Sequence, residues 1–307
     1  MVNVSQDFLN GLADPQNHPQ RIVFLFGDGA IISNEDIDVD SGVDFREVFC
    51  SETDLTIGLT PSSEISFVLF NDDRIWNEYE FGTFTAYIGV RLEWEPDNSQ
   101  IVRRPTITIE DNEMTVSGNG KLETYELMSL GVFIAPRPSI VLKDQIDIRA
   151  NDQMTLFDED MPSDTDLGVT YPITAGTLLQ KLCTYVGVSP VTTTFTNSTL
   201  SLSSRPDSFN NSTMREVVGW IAEAACANAR FNRSGLLELA WFTDVTSTKT
   251  YNEGNYTAFE PCWFESPRVS KIHIRNEDST AEAIIGTGDV CYMIQNNPFL
   301  RQSEVTP

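Results

Sequence analysis

Histidine is nearly missing from this chain of 307 residues, which holds only His18 and His273. That leaves little material for a histidine-based acid–base pair, a Ser–His or Cys–His nucleophile, or a histidine-bound metal. His18 sits in an Asn/Pro stretch, and His273 lies in an alternating segment beside Lys271 and Arg275, where a solvated strand face is expected. No HExxH and no GxSxG elbow is present. Basic residues are scarce too: 20 Lys and Arg stand against 45 Asp and Glu, a formal charge of −25. Specific nucleic-acid binding needs basic clusters that displace counterions from phosphates, and docking on anionic membranes needs the same. Arg103-Arg104 is the only adjacent basic pair, and a salt-bridging role inside so acidic a chain is expected for it. Five cysteines (Cys50, Cys183, Cys226, Cys262, Cys291) include no CxxC spacing, so neither a zinc ribbon nor a redox pair is indicated. Cys183 and Cys226 are expected as small buried residues on helices. No apolar run approaches the roughly 18–20 residues that cross a bilayer. The opening MVNVSQDFLNGLADPQ has neither a basic nor a long apolar region, so manufacture and use without export is expected.

What the sequence does have is pattern. The sharpest stretch is Thr213 to Phe242, TMREVVGWIAEAACANARFNRSGLLELAWF. Thr213 and Glu216 have capping-box spacing. Val217, Trp220, Ile221, Ala224, Ala225 and Asn228 recur at the steps of one helical face. The period then drops to two around a turn at Arg233-Ser234-Gly235, which predicts a hairpin. Small residues along this helix favour close approach to a neighbouring surface. Trp220, Ala224, Ala225 and Trp241 are therefore the interface candidates, and Trp263 is a further core or interface anchor.

Strand signals dominate the first half. Apolar runs flank Gly27-Asp28-Gly29, a hairpin signal and not a phosphate loop, because a strand follows it and no lysine is near. Further strands are expected at 65–70, 81–92, 106–109, 114–116, 125–135 and 139–150. This count predicts a small closed or half-closed barrel. Residues 158–172 read as a linker or a long loop. Thr174 is an N-cap, Leu178, Leu179, Leu182, Cys183 and Val186 form a helical stripe, and Gly187 is the stop. A strand pair is expected at 191–195 and 200–202, making 173–242 an α-ββ-α-ββ module. Strands return at 263–264, 269–275, 281–285 and 290–294. The expected class is α+β, mainly β. The expected domains are a barrel-like one over 1–160, an α/β module over 161–245 and a β segment over 246–307 resembling part of a second barrel.

The metal candidate is Asp36-x-Asp38-x-Asp40, followed by Asp44 and Glu47, which has calcium-loop spacing. Ser41 stands where such a loop turns on glycine, and Ile37 and Val39 fit a strand with a wet acidic face equally well. No cofactor is therefore expected, with calcium the one ion considered. Carboxylates are so numerous that no pair stands out as catalytic, and no enzyme activity is expected.

Four blocks in order resemble phage and prophage tail proteins, in particular the baseplate-hub, or tail-hub, family of tailed bacteriophages and contractile injection systems. They are IDIRANDQMTLFDEDM (146–161), YPITAGTLLQKLC (171–183), RPDSFNNSTMREVVGWIAEAACANARFNRSGLLELAWF (205–242) and GDVCYMIQNNPFL (288–300). The resemblance implies two related β-barrels, one with an α/β insertion. It also implies trimers whose six barrels continue the tail tube and attach the spike or fibre apparatus. The residues after Phe242 are too few for a full second barrel. The implied setting is the virion tail or baseplate, after synthesis in the bacterial cytoplasm. The implied partners are tail-tube, distal-tail and spike or fibre proteins and further copies of the chain. DNA passes through such an assembly without specific binding. On that reading Asp36, Asp38 and Asp40 are candidates for a DNA-repelling strip in the lumen. The rival expectations are a tail-associated cell-wall hydrolase, and a carbohydrate- or receptor-binding module with aromatics clustered around Trp76 or Trp94.

Overall fold

The computed structural model describes residues 4–13, 20–38, 41–47, 56–71, 76, 79–97, 105–136, 140–141, 144–240, 271–275, 283–287, 289 and 291–300. The chain forms two compact units. One comprises 1–47, 63–153 and 233–235; the other comprises 48–62, 154–232 and 236–307.

The first unit begins with α1 (Gln6–Ala13), which the sequence reading did not anticipate. Ser5 accepts from the Phe8 amide at its start, and Phe8 is fully buried. Among the described residues ten strands follow: β1 (Gln20–Phe26), β2 (Ile31–Ser33), β3 (Val43–Arg46), β4 (Glu64–Phe70), β5 (Gly82–Pro96), β6 (Thr106–Glu110), β7 (Glu113–Gly118), β8 (Lys121–Ala135), β9 (Ile140–Val141) and β10 (Gln145–Asp152). The main order is β2-β1-β5-β8-β10-β4-β3, with β6 and β7 added along β8. The two flanks of this sheet meet. The chain leaving β2 returns to β4, where Ile37 bridges Leu69. Phe70 N donates to Asp36 O and Asp38 N to Val68 O, each at 2.8 Å. The expected barrel is therefore present, and segment 36–38 closes it.

Alternation explains what fills the barrel. Ile65, Phe67 and Leu69 on β4 point inward with Ile146 and Ile148 on β10, Phe24 on β1, Phe84 on β5 and Phe133 on β8. Phe24 stacks on Phe67 at 4.1 Å and meets Phe84 edge-on at 5.4 Å, the offset and T-shaped arrangements that aromatic quadrupoles favour. Val23, one residue out of phase with Phe24, faces the other way. It packs with Met114, Val116, Tyr125 and Leu127, so the β6–β7 hairpin covers an outer face of the sheet.

The second unit contains α2 (Asp164–Leu167), β11 (Ile173–Thr174), α3 (Ala175–Val186), β12 (Ser189–Pro190), β13 (Ser201–Leu202), α4 (Met214–Ala224), β14 (Asn228–Phe231), β15 (Leu236–Ala240), β16 (Lys271–Arg275), β17 (Ala283–Gly286) and β18 (Cys291–Gln295). The signals for α3 hold. Thr174 caps it by accepting from the Thr177 amide, and Gly187 ends it at φ 80°. Two expectations give way. The 158–172 linker is ordered structure, because Met161 and Leu167 bury their side chains and Ser163 caps α2. Asp160 bridges Thr213. The expected pair 191–195 with 200–202 does not form. Thr192 Oγ1 accepts from the Thr194 amide, a local turn that competes with the β preference of a threonine run. Instead β13 pairs with β11, and β12 pairs in parallel with β15. The strands expected at 269–275, 281–285 and 290–294 appear as β16, β17 and β18, with β16 in the centre.

Candidate functional site

Asp36 and Asp38 correct the wet-face expectation: they are 5% and 7% exposed. Asp36 Oδ2 accepts from the Ser33 amide at 3.2 Å. Asp38 Oδ2 accepts from Gln145 Nε2 and from Ser41 Oγ, each at 2.9 Å. Both carboxylates are tied up where the barrel closes, so the two present no exposed acidic strip to a lumen. Asp44 lies on β3, and Glu47 pairs with Arg233 at 3.2 Å. Asp40 is outside the described residues, as are His18, Cys50, Arg103, Arg104, Trp241, Cys262 and Trp263. Among the described residues no three His, Cys, Asp or Glu side chains come together as a metal group would.

Other sequence candidates are placed as follows. Trp76 is buried and Trp94 is 55% exposed, with Lys121 Nζ 6.0 Å from its ring centre. Cys183 is buried in α3, where desolvation pushes its thiol up to about 12, partly offset by a backbone hydrogen bond. Cys226 corrects its expectation: it is exposed, beyond the end of α4, at φ 55°. His273 is half-buried on β16.

The most developed site lies along α4, within the second unit. The capping box is present: Thr213 N donates to Glu216 Oε2 at 2.8 Å, and Glu216 N to Thr213 Oγ1 at 3.2 Å. Ala224 and Ala225 are buried inside this unit, along with Ala222, Ala227 and Ala229. Trp220 is half-buried and stacks on Phe209 at 5.9 Å with an interplanar angle of 9°. The predicted hairpin is β14–β15, with Gly235 at φ 73° in its turn.

Two distant segments strap the end of this helix. Gly58 N donates to Ala227 O, and Ala229 N to Leu59 O, each at 2.8 Å. Asn228 Oδ1 accepts from Leu59 N at 3.0 Å. Gly58 and Gly219 cross so closely that a Cβ on Gly219 would stand 2.9 Å from Gly58 O. From the other side, Tyr292 OH donates to Ile57 O at 3.2 Å. Asn297 Nδ2 reaches Trp220 O and Glu223 Oε2, each at 2.8 Å. Burial raises the Glu223 carboxyl above its ordinary 4.5, opposed by the Asn297 hydrogen bond. Burial is also the first cause of the raised Tyr292 hydroxyl, with the Glu223 charge adding to it. Between the straps lies a cleft of about 340 Å³ lined by Ile57, Gly58, Thr60, Arg215, Trp220 and Glu223, among others. Sequence reading missed Gly58, Tyr292 and Asn297 as parts of one site. The only signal was the quoted GDVCYMIQNNPFL block, which holds two of them.

No protein-family model matches the chain, and no curated protein matches its sequence. Solved structures do match, among them three tail proteins. One is the 43 kDa tail protein of prophage MuSo2 from Shewanella oneidensis, at 14% identity over 93% of this chain and 73% of that one, with a TM-score of 0.46. A second is the tail protein from Neisseria meningitidis MC58, at 10% identity over 91% of this chain and 73% of that one, with a TM-score of 0.48. A third is the prophage tail protein gp18 from Listeria monocytogenes EGD-e, at 12% identity over 90% of this chain and 72% of that one, with a TM-score of 0.39.

Proposed function

We propose that this chain is a structural component of a phage tail tip or baseplate, a hub that joins the tail tube to the spike or fibre apparatus by ring assembly. The observation that carries the reading is architectural. A barrel-like sheet, a helix-and-hairpin unit and a further β-sheet succeed one another in the chain. That is the succession implied by the ordered sequence blocks that resemble the tail-hub family. In this reading the chain performs no catalytic step and holds no cofactor, its ring is a trimer, and it works in the virion tail after synthesis in the bacterial cytoplasm. Its partners are tail-tube, distal-tail and spike or fibre proteins, and its charge of −25 suits a part that DNA passes without adhering. The carbohydrate-binding rival requires aromatics gathered on one face. Trp76 is buried and Trp94 stands without it, so that rival gains no support from these two residues. Light scattering of the purified chain, alone and with the tail-tube protein of the same phage, tests the proposal. Trimer formation or a stable complex is expected, and a monomer indifferent to tube protein would count against it.

A further inference from the structure

The cleft beside α4 carries an inference that does not depend on the tail reading. Arg215 lines it and pairs through Nη1 with Asp158 at 3.0 Å. The other two guanidinium nitrogens, Nε and Nη2, are buried with no hydrogen-bond partner. Together they form the lateral edge of the guanidinium plane, the fork that receives both oxygens of a carboxylate. The carboxylates lining the cleft are engaged elsewhere: Glu216 accepts from the Thr213 amide and Glu223 from Asn297. Among the described residues, neither carboxylate lining the cleft bonds to the fork.

We propose that this cleft is a carboxylate-binding site and that its ligand is an acidic peptide segment of another protein. Three features choose that ligand. Asp158 pairs with the arginine and Glu216 and Glu223 line the same cleft, which disfavours a dianionic phosphate more than a singly charged carboxylate. A volume of about 340 Å³ exceeds what a lone carboxylate fills. The half-buried Trp220 ring and Thr60 offer an apolar wall and a hydroxyl for the atoms that follow, while Gly58 and Gly219 place no side chain in the way.

Calorimetric titration of the intact chain tests this with five probes. The first is a capped tripeptide with a central aspartate, and the second is its asparagine counterpart. The third is a glycine tripeptide with a free carboxyl terminus, and the fourth is inorganic phosphate, with acetate as the small-acid comparison. Saturable binding of the aspartate or free-terminus peptide is expected, and which of the two binds identifies a side chain or a chain end as the source. The asparagine peptide, acetate and phosphate should each bind at least about tenfold more weakly. Arg215→Lys keeps the charge but loses the fork, and should weaken peptide binding by about tenfold or more while leaving the thermal midpoint close to that of the parent. Equal binding of the asparagine peptide, acetate or phosphate overturns the proposal, and so does undiminished binding by a folded Arg215→Lys. If that variant does not fold, the comparison of probes on the parent chain decides.

Discussion

Asn297 donates its side-chain amide to the Trp220 carbonyl and to the Glu223 carboxylate, each at 2.8 Å, and so fixes the last turn of α4 from a segment more than 70 residues away. Its Oδ1 also accepts from the Phe299 amide at 2.9 Å, which holds the turn that buries Phe299. Asn297→Ala removes all three bonds and leaves buried partners unmatched. A loss of about 1–3 kcal/mol is expected in urea unfolding, read from the midpoint at unchanged slope.

Burial of Glu223 at this place sets a pH dependence. Burial raises the Glu223 carboxyl in the folded state, so this group's contribution to stability is fully present below its unfolded value near 4.5. That contribution is lost as pH rises through the higher folded value, where ionisation must occur in a desolvated site. Glu223→Gln removes this titration. Its stability relative to the parent should improve as pH is raised from 4 toward neutrality, measured by thermal unfolding across that range. A difference that does not vary with pH would contradict it.

Gly219 offers a test in which two effects oppose. In a helix interior, glycine to alanine usually gains about 1 kcal/mol. Here the added Cβ would lie 2.9 Å from the Gly58 carbonyl, a backbone atom on a strap pinned at Gly58, Leu59 and Ile57. Overpacking of this kind costs about 1–3 kcal/mol, so a net loss is expected for Gly219→Ala by chemical denaturation. A gain would show that the strap yields freely.

Asp38 is predicted to be a closure residue and not a calcium ligand. Asp38→Ala strips the acceptor from Gln145 and Ser41 and should cost about 1–3 kcal/mol. Millimolar calcium should leave the melting midpoint of the parent unmoved. A calcium-dependent rise, which binding to the folded state would produce, restores the metal reading.

The parts of this fold legible in the sequence are those whose signals are local. Thr174 and Gly187 bracket α3, Thr213 with Glu216 starts α4, and Gly235 turns the β14–β15 hairpin as its positive φ requires. Each relies on residues within a few positions of one another. What was not legible depends on distant partners. Residues 36–38 look like a half-wet strand until β4 pairs with them and buries both carboxylates. Residues 158–172 look like a linker because their acids conceal Met161 and Leu167, whose burial only the packed core reveals. The cleft was the least legible of all. Gly58 and Arg215 line it while Tyr292 and Asn297 hold the straps beside it, and no pattern within a helical or strand window connects them.

The central claim is that this chain assembles as a structural part of a phage tail. The most direct measurement is multi-angle light scattering of the chain mixed with the tail-tube protein of the same phage. The account predicts a complex containing three copies of the chain per ring of tube protein. A chain that stays monomeric and elutes apart from the tube protein at every ratio would contradict it.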